Sequence, residues 1–316
     1  MDLRQQEYFI SIVEEGSLSG AAQKLFVSQP TLSQFLNRLE QEEKTPLMKR
    51  GRNNTLTLTD AGQLYYESAK KMLQIRTDYM HRLSDLIDDS EKRLIFGVTA
   101  ERGMALFMQI TRRLHERDRS YESKYLLSRQ NPAYKQQELV ANCEIDAAFS
   151  AYKQKKPQLS YIDFSPAELV IVLPKDHPLA ALGSTNPLEN LPHLPLKQFE
   201  SLPVATLHKH TVLRDILDDY CEENDVWPTI RFEVDQISNV LTIVGTGMAA
   251  GICTHNRFLN MQEDFSFIGM DPPLFYSTAV YYNKSAYQTR FLQDFLSIAR
   301  EIALENTEEG KTDAAP

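Results

Sequence analysis

Apolar residues in the first ninety positions recur three and four apart, the spacing of one helix face. Leu3, Tyr8, Phe9, Ile12 and Val13 predict a first helix, broken by "EEGS" at Gly16. Ser17 can cap a short second helix, "LSGAAQKLF", whose Ala21, Ala22 and Leu25 permit close packing. Ser28 is a good N-cap for a third helix, and Pro30 is tolerated in a first turn, where amides lack intrahelical partners. Leu32, Phe35, Leu36 and Leu39 form the buried stripe of that helix. Two short helices with a tight connection, the second one capped, make a helix-turn-helix pattern. In "LMKRGRNNTLTLT" the alternation then shortens to two, predicting a hairpin or wing with Leu56 and Leu58 inward and the threonines outward. Thr59 or Asp60 starts a long helix to about residue 88, roughly 40 Å at 1.5 Å per residue. Tyr65, Met72, Ile75, Tyr79 and Leu86 recur along it near heptad spacing. A lone helix of this kind is marginal in water, so the stripe packs either on a second copy, the favoured reading, or on the chain's own C-terminal body. "DDSEK" reads as a linker.

After residue 94 short β-branched runs alternate with helices. "LIFGV", "SKYLL" and "IDAAFS" are expected strands around helices at 103–115 and at "NPAYKQQELVANC", the latter capped by Asn131 with Pro132 at its first position. "ELVIVLP", "PVATL", "TIRFEV" and "GICT" form a second set with helices at 212–223 and 237–245. Alternation of this sort implies parallel sheets. The Pro-rich "KDHPLAALGSTNPLENLPHLP" reads as surface loop with a short helical turn. "STAVYYN" is a late strand, a helix follows from about 286 to 304, and residues 306–316 are expected to be disordered.

Charge sharpens this division. The chain carries a formal net charge of -9, yet residues 18–59 hold six cations (Lys24, Arg38, Lys44, Lys49, Arg50, Arg52) against three acids. Residues 94–316 hold 21 Lys/Arg against 29 Asp/Glu. Such asymmetry points to a nucleic-acid-binding end on a differently occupied body. No apolar run of about 18 residues exists, so no membrane span is expected. "MDLRQQEYF" lacks the basic and apolar regions of a signal peptide, and the scattered Cys143, Cys221 and Cys253 read as incidental thiols of a reducing, cytoplasmic setting. Nor does enzyme chemistry suggest itself. His208 and His210 lack a third ligand at recognisable spacing, so no metal is expected, and "GTGMAAG" lies between a helix and a strand, the wrong order for a dinucleotide loop. No cofactor is implied.

The third helix carries the candidate chemistry. Gln29, Ser33, Gln34, Asn37 and Arg38 lie on its polar face, the side-chain types that hydrogen-bond base edges in the major groove, and Pro30 and Thr31 suit thymine methyls. The first turn after Ser28 offers free N–H groups to a phosphate. Lys49, Arg50, Arg52 and Asn53 of the wing suit a phosphate or minor-groove role. Alone, such a face could equally be the solvated side of an ordinary helix.

Residues 16–62 decide between the two readings. "GSLSGAAQKL", "VSQPTLSQ", "RLEQE", "PLMKR" and "LTLTDAG", in that order and without gaps, resemble the winged helix-turn-helix of the LysR-type transcriptional regulators. "LVIVLPKDHPLA" and "FEVDQISNVLTIVGTGMAAGICT" are similar to segments of that family's effector domain. The resemblance implies a DNA-binding domain at 1–59, a linker and dimerisation helix at 60–90, and at 91–305 an α/β effector domain like the periplasmic binding proteins. Its two lobes, joined by crossover strands, would be about 94–164 with 266–305, and 165–265. It also implies a cytoplasmic bacterial regulator, tetrameric as a dimer of dimers, that binds promoter DNA and a small-molecule effector and contacts RNA polymerase. The alternative is a small-molecule-sensing module without operator-specific DNA binding. Positions carried over to the effector cleft are Thr99, Ala100, Glu101, Asn131, Ser150 and Ala151 from the first lobe. Lys209, His210, Thr211, Gln236, Ser238 and Thr254 come from the second, and each could instead be an ordinary cap or loop residue. Helix N-termini and Lys209 favour a carboxylate-bearing ligand, whereas Glu101 complicates that choice. Two departures stand out. Glu43-Lys44 replaces the family's usual Leu-Gly, so the reading helix ends without a glycine cap, and "TAER" replaces a Ser-Pro-like sequence after the first effector strand.

Overall fold

A computed structural model describes residues 3–51, 55–87, 94–118, 125–128, 133–185, 191–254 and 264–312, with backbone alone at 100–102, 125–128, 134 and 306–312. The chain divides into two units, 1–89 and 90–316.

In the first unit, α1 (Leu3–Glu15), α2 (Leu18–Lys24) and α3 (Gln29–Glu42) precede a hairpin of β1 (Met48–Arg50) and β2 (Leu56–Leu58) and the 27-residue α4 (Asp60–Leu86). Each predicted stop and start has a local cause. Gly16 takes φ +60, open to glycine without a steric penalty. Ser17, Ser28 and Thr59 cap α2, α3 and α4, accepting the N–H of Gly20, Thr31 and Gly62. Leu32, Phe35, Leu36 and Leu39 are buried together with Phe9, Ile12, Ala21 and Ala22 in one core. Met48 pairs with Leu58 across the antiparallel hairpin; Leu56 is buried, and Thr55 and Thr57 point outward.

The start of α4 is pinned to the loop before β1. Thr59 Oγ1 donates to Pro46 O at 2.8 Å, and a Cβ at Gly62 would lie 1.9 Å from Leu47 O. Only glycine allows that approach. One expectation for α4 needs correction. Tyr65 does not belong to an outward stripe: it is buried against Phe9, ring centroids 4.8 Å apart. The exposed large apolar residues of α4 are Leu64, Ile75, Tyr79, Met80 and Leu86, and all but Met80 lie together. At 100° per residue these four fall within about 60° of one another; Tyr65 lies about 40° beyond Tyr79, at the flank where the helix turns in to α1.

The second unit has two sheets. One runs β4-β3-β5-β14-β6, from β3 (Leu94–Val98), β4 (Tyr125–Ser128), β5 (Ala147–Ala151), β6 (Leu159–Asp163) and β14 (Thr278–Asn283). Helices α5 (Ala100–Arg117) and α9 (Arg290–Thr312) pack on it through Phe107, Leu114, Phe291 and Phe295, while α6 (Ala133–Ala141) contributes Val140 to a second, smaller cluster. The other sheet runs β10-β9-β11-β7-β12-β8, from β7 (Ala167–Pro174), β8 (His193–Leu194), β9 (Pro203–Leu207), β10 (Thr229–Val234), β11 (Ala250–Thr254) and β12 (Phe265–Met270). There β13 (Phe275–Tyr276) also pairs with β7, and α7 (Val212–Glu223) and α8 (Ile237–Gly245) complete the core.

The sheets are mixed, not purely parallel. β7 runs antiparallel to β11 and β12, and β14 runs antiparallel to β5 and β6. The sequence reading passes over β6 and β12, whose "LSYID" and "FSFIGM" lie outside the helix–strand alternation. Strand β12 also shifts the lobe boundary. Residues 265–269 pair with β7 in the second lobe, so the chain returns to the first lobe between Tyr276 and Thr278 rather than near 266. The terminal helix continues to Thr312 instead of ending near 304, so the expected disordered tail is largely helical; Glu305, Glu308, Glu309 and Lys311 are good helix formers. The "DDSEK" linker and the Asn131–Pro132 cap lie outside the described residues.

Candidate nucleic-acid interface and effector cleft

The buried stripe of α3 leaves a fixed polar face. Ser28, Gln29, Pro30, Thr31, Gln34, Asn37 and Arg38 are exposed and Ser33 is half-buried. Ser28 Oγ lies 2.7 Å from Thr31 Oγ1 as well as accepting its N–H, which ties the first turn to its cap. Arg38 pairs with Glu42 one turn on, at 3.5 Å, so the only cation of the face is partly neutralised and its amides and hydroxyls dominate. Lys49 and Arg50 are exposed on β1, whereas Arg52 and Asn53 lie outside the described residues.

One contributor escaped the sequence reading. Glu40, on the half-buried side of α3, accepts the N–H of Leu47 at 2.7 Å and of Met48 at 2.9 Å through Oε1. The carboxylate thus anchors the wing to α3; "RLEQE" contains the residue but gives no sign of its partners. Leu56 N–H donates to Gly16 O at 2.8 Å, fastening the other wing strand to the α1–α2 turn. The α3 end lacks glycine, as expected. Lys44 takes φ +55 there, and its N–H and that of Thr45 close the last turn on Gln41 O and Glu40 O.

In the second unit, strand register places several of the expected positions at strand ends of the two sheets, beside the crossovers. Ala151, ending β5, pairs with Thr278, the first residue of β14, which enters from the other lobe. Thr254, ending β11, lies opposite Leu169 near the start of β7, where the other crossover enters. β9 and β10 run parallel to β11 and to each other, so their C-terminal ends, leading to Lys209 and Gln236, face the same way. The ends of parallel strands at a crossover are where open α/β folds bind ligands.

The side chains there differ in role. Thr99 precedes α5 without capping it; its Oγ1 donates instead to Ser150 Oγ at 2.5 Å. Ser150, Ala151 and Thr254 are buried, and Lys209 and His210 are exposed, His210 at φ +72. Thr211 caps α7, accepting from Arg214 N–H, while Gln236 precedes α8 without a side-chain cap and Ser238 is half-buried in its first turn. Ala100 and Glu101 begin α5, where the backbone alone is described, and Asn131 lies outside the described residues. Unforeseen were the ion pairs. Buried Arg214 donates to Asp218 and Glu233, and Glu233 is held below its usual carboxylate range by that guanidinium. His208 Nε2 lies 2.9 Å from Asp235, joining the loops ahead of α7 and α8. Lys153 of the first lobe pairs with Asp219 of the second. Apart from Arg214–Asp218, which lies one turn apart in α7, these pairs join segments distant in sequence and leave no local pattern. Burial raises the Tyr281 phenol, and it raises the Cys221 thiol to about 11.

Comparison with known proteins agrees with both halves. Residues 3–63 match the family model described as bacterial regulatory helix-turn-helix protein, lysR family, and residues 88–303 match the LysR substrate binding domain. The HTH-type transcriptional regulator BsdA of Bacillus subtilis is 26% identical over 302 residues, 94% of this chain and all of that one. BenM of Acinetobacter baylyi, also an HTH-type transcriptional regulator, is 27% identical over 78% of each chain. Among solved structures, HinK, a LysR family regulator from Pseudomonas aeruginosa, superposes with TM-score 0.56 at 19% identity, covering 96% of this chain and 99% of that one. Full-length CbnR complexed with its target DNA reaches 0.50 at 18% identity, covering 96% and all of each. These two likenesses speak to the fold alone. The two family models between them span both units, and the chain belongs to the LysR family of DNA-binding transcriptional regulators.

Proposed function

We propose that this regulator reads its operator through the exposed face of α3 and senses a small carboxylate-bearing metabolite between the lobes of its second unit, the ligand altering promoter binding or bending. The observation that carries the reading half is the row Gln29, Thr31, Ser33, Gln34 and Asn37, presented by the Ser28 cap and braced against the wing by Glu40. Amides and hydroxyls read base edges, and Lys49 and Arg50 supply phosphate attraction beside them. The ligand half is supported by α5 and α8, whose N-termini have no side-chain cap and stand at the strand ends nearest the crossovers. Free N–H groups at such termini favour an anion. Arg214 is already held by Asp218 and Glu233, which leaves exposed Lys209 as the nearer cation for a carboxylate. A dimer of dimers is the proposed assembly, with polymerase contact as a consequence of DNA rearrangement.

Footprinting across genomic fragments, the chain's own promoter included, tests the DNA half. Gln29→Ala and Ser33→Ala should lower specific over non-specific affinity. Arg50→Ala should weaken both and flatten the salt dependence by roughly one counterion. Equal losses on specific and random duplexes for all three variants would overturn this division. Calorimetry against a metabolite panel tests the other half, since tight binding of neutral aromatics alone would exclude a carboxylate ligand.

A further inference from the structure

Phe26 occupies the turn between α2 and α3 under two separate penalties. It is 95% exposed, the most exposed large apolar residue among those described, and it takes φ +54. A residue with a β-carbon is strained in that region, whereas Asn or Gly adopts it readily. The turn is not loose: Phe26 N–H donates to Gln23 O at 3.3 Å and Val27 N–H to Ala22 O at 3.0 Å. The ring is therefore held out from a fixed backbone, two residues before the Ser28 cap. Strain and exposure retained together at one position point to use.

The surroundings select the partner. Gln23, Lys24, Ser28 and Gln29 around it in sequence are exposed and polar, so Phe26 does not belong to an apolar patch of the size protein partners need. It is instead continuous with the polar row of α3. A lone apolar group at the edge of a polar reading face matches the lone apolar feature of the major groove, the thymine C5-methyl. We propose that Phe26 is a specificity residue that packs on a thymine methyl next to the bases read by the first turn of α3. This rests on the reading of α3 as the base-contacting helix.

The test uses the full chain and its footprinted operator, with each thymine replaced singly by uracil, which removes only the methyl. Wild-type protein should lose about fourfold in affinity at one flanking position, the factor expected for one buried methyl group. Phe26→Asn, better suited to the backbone, should melt no lower than wild type, bind the thymine operator about fourfold more weakly, and lose nothing further at that uracil. Gln29→Ala should keep the uracil penalty. Undiminished affinity in Phe26→Asn, or penalties that multiply, would overturn the assignment while leaving α3 as the reading helix. A wild-type chain with no footprint would overturn both.

Discussion

Lys44 shows how a single position departs from the sequence pattern at a definite cost. It closes α3 at φ +55, a conformation that costs a β-carbon residue about 1–2 kcal/mol. Glycine would remove that strain but return roughly 0.5–1 kcal/mol through its freer unfolded chain. Lys44→Gly should therefore stabilise the first unit by about 0.5–1 kcal/mol, seen as a higher melting temperature of the transition to which that unit contributes. An unchanged or lower melting temperature would mean that the Lys44 side chain contributes something the bare turn does not. Features of this reach were legible in the sequence where the cause is local. The caps Ser17, Ser28 and Thr59 were foreseen because a cap and its amide lie three residues apart. The strained backbone at Phe26 was not, because no residue type there announces a positive φ.

At the scale of elements the wing and the reading helix act as one body through Glu40. Removing its carboxylate leaves the N–H groups of Leu47 and Met48 without their acceptor, and a lost charge-assisted bond to buried amides costs roughly 1–3 kcal/mol. Glu40→Ala should lower the stability of the first unit by about that amount. It should also reduce operator affinity more than random-duplex affinity, because Lys49 and Arg50 keep their charge but lose their position relative to α3. Gel shifts on both duplexes measure the ratio, and an equal loss on each would reduce Glu40 to a stability role. Sheet topology was less legible than the helices for a related reason. β12 is buried along its whole length, so "FSFIGM" carries no alternation, and its antiparallel partner β7 lies some ninety residues earlier. The positions assigned to the cleft rest on family likeness, while Lys153–Asp219 and His208–Asp235, which join segments far apart in the chain, had no signal within either segment.

For the whole molecule, the division into two parts followed from the change of period near residue 94 and the shift in charge, while their DNA-binding and effector roles came from the family resemblance. Self-association is expected through α4. Leu64, Ile75, Tyr79 and Leu86 are 60–82% exposed on one face, at spacings of eleven, four and seven residues that keep a helical stripe in line. Tyr65 and Ala69, on the flank beyond Tyr79, are buried in the core of the first unit, and none of the four stripe residues is part of that core. Such a stripe in water is covered most simply by the same stripe of a second chain, which would also present two copies of α3 to a two-fold operator. The double variant Ile75→Glu, Leu86→Glu places carboxylates in that seam without touching any core residue. Its mass by light scattering should fall towards the 36.2 kDa of one chain, with the melting of each unit unchanged. Operator affinity should drop on the order of 100-fold, since two half-sites would then be bound independently, while affinity for a single half-site stays the same. An oligomer that survives both glutamates would mean that the copies meet elsewhere, and that the α4 stripe is covered by some other surface.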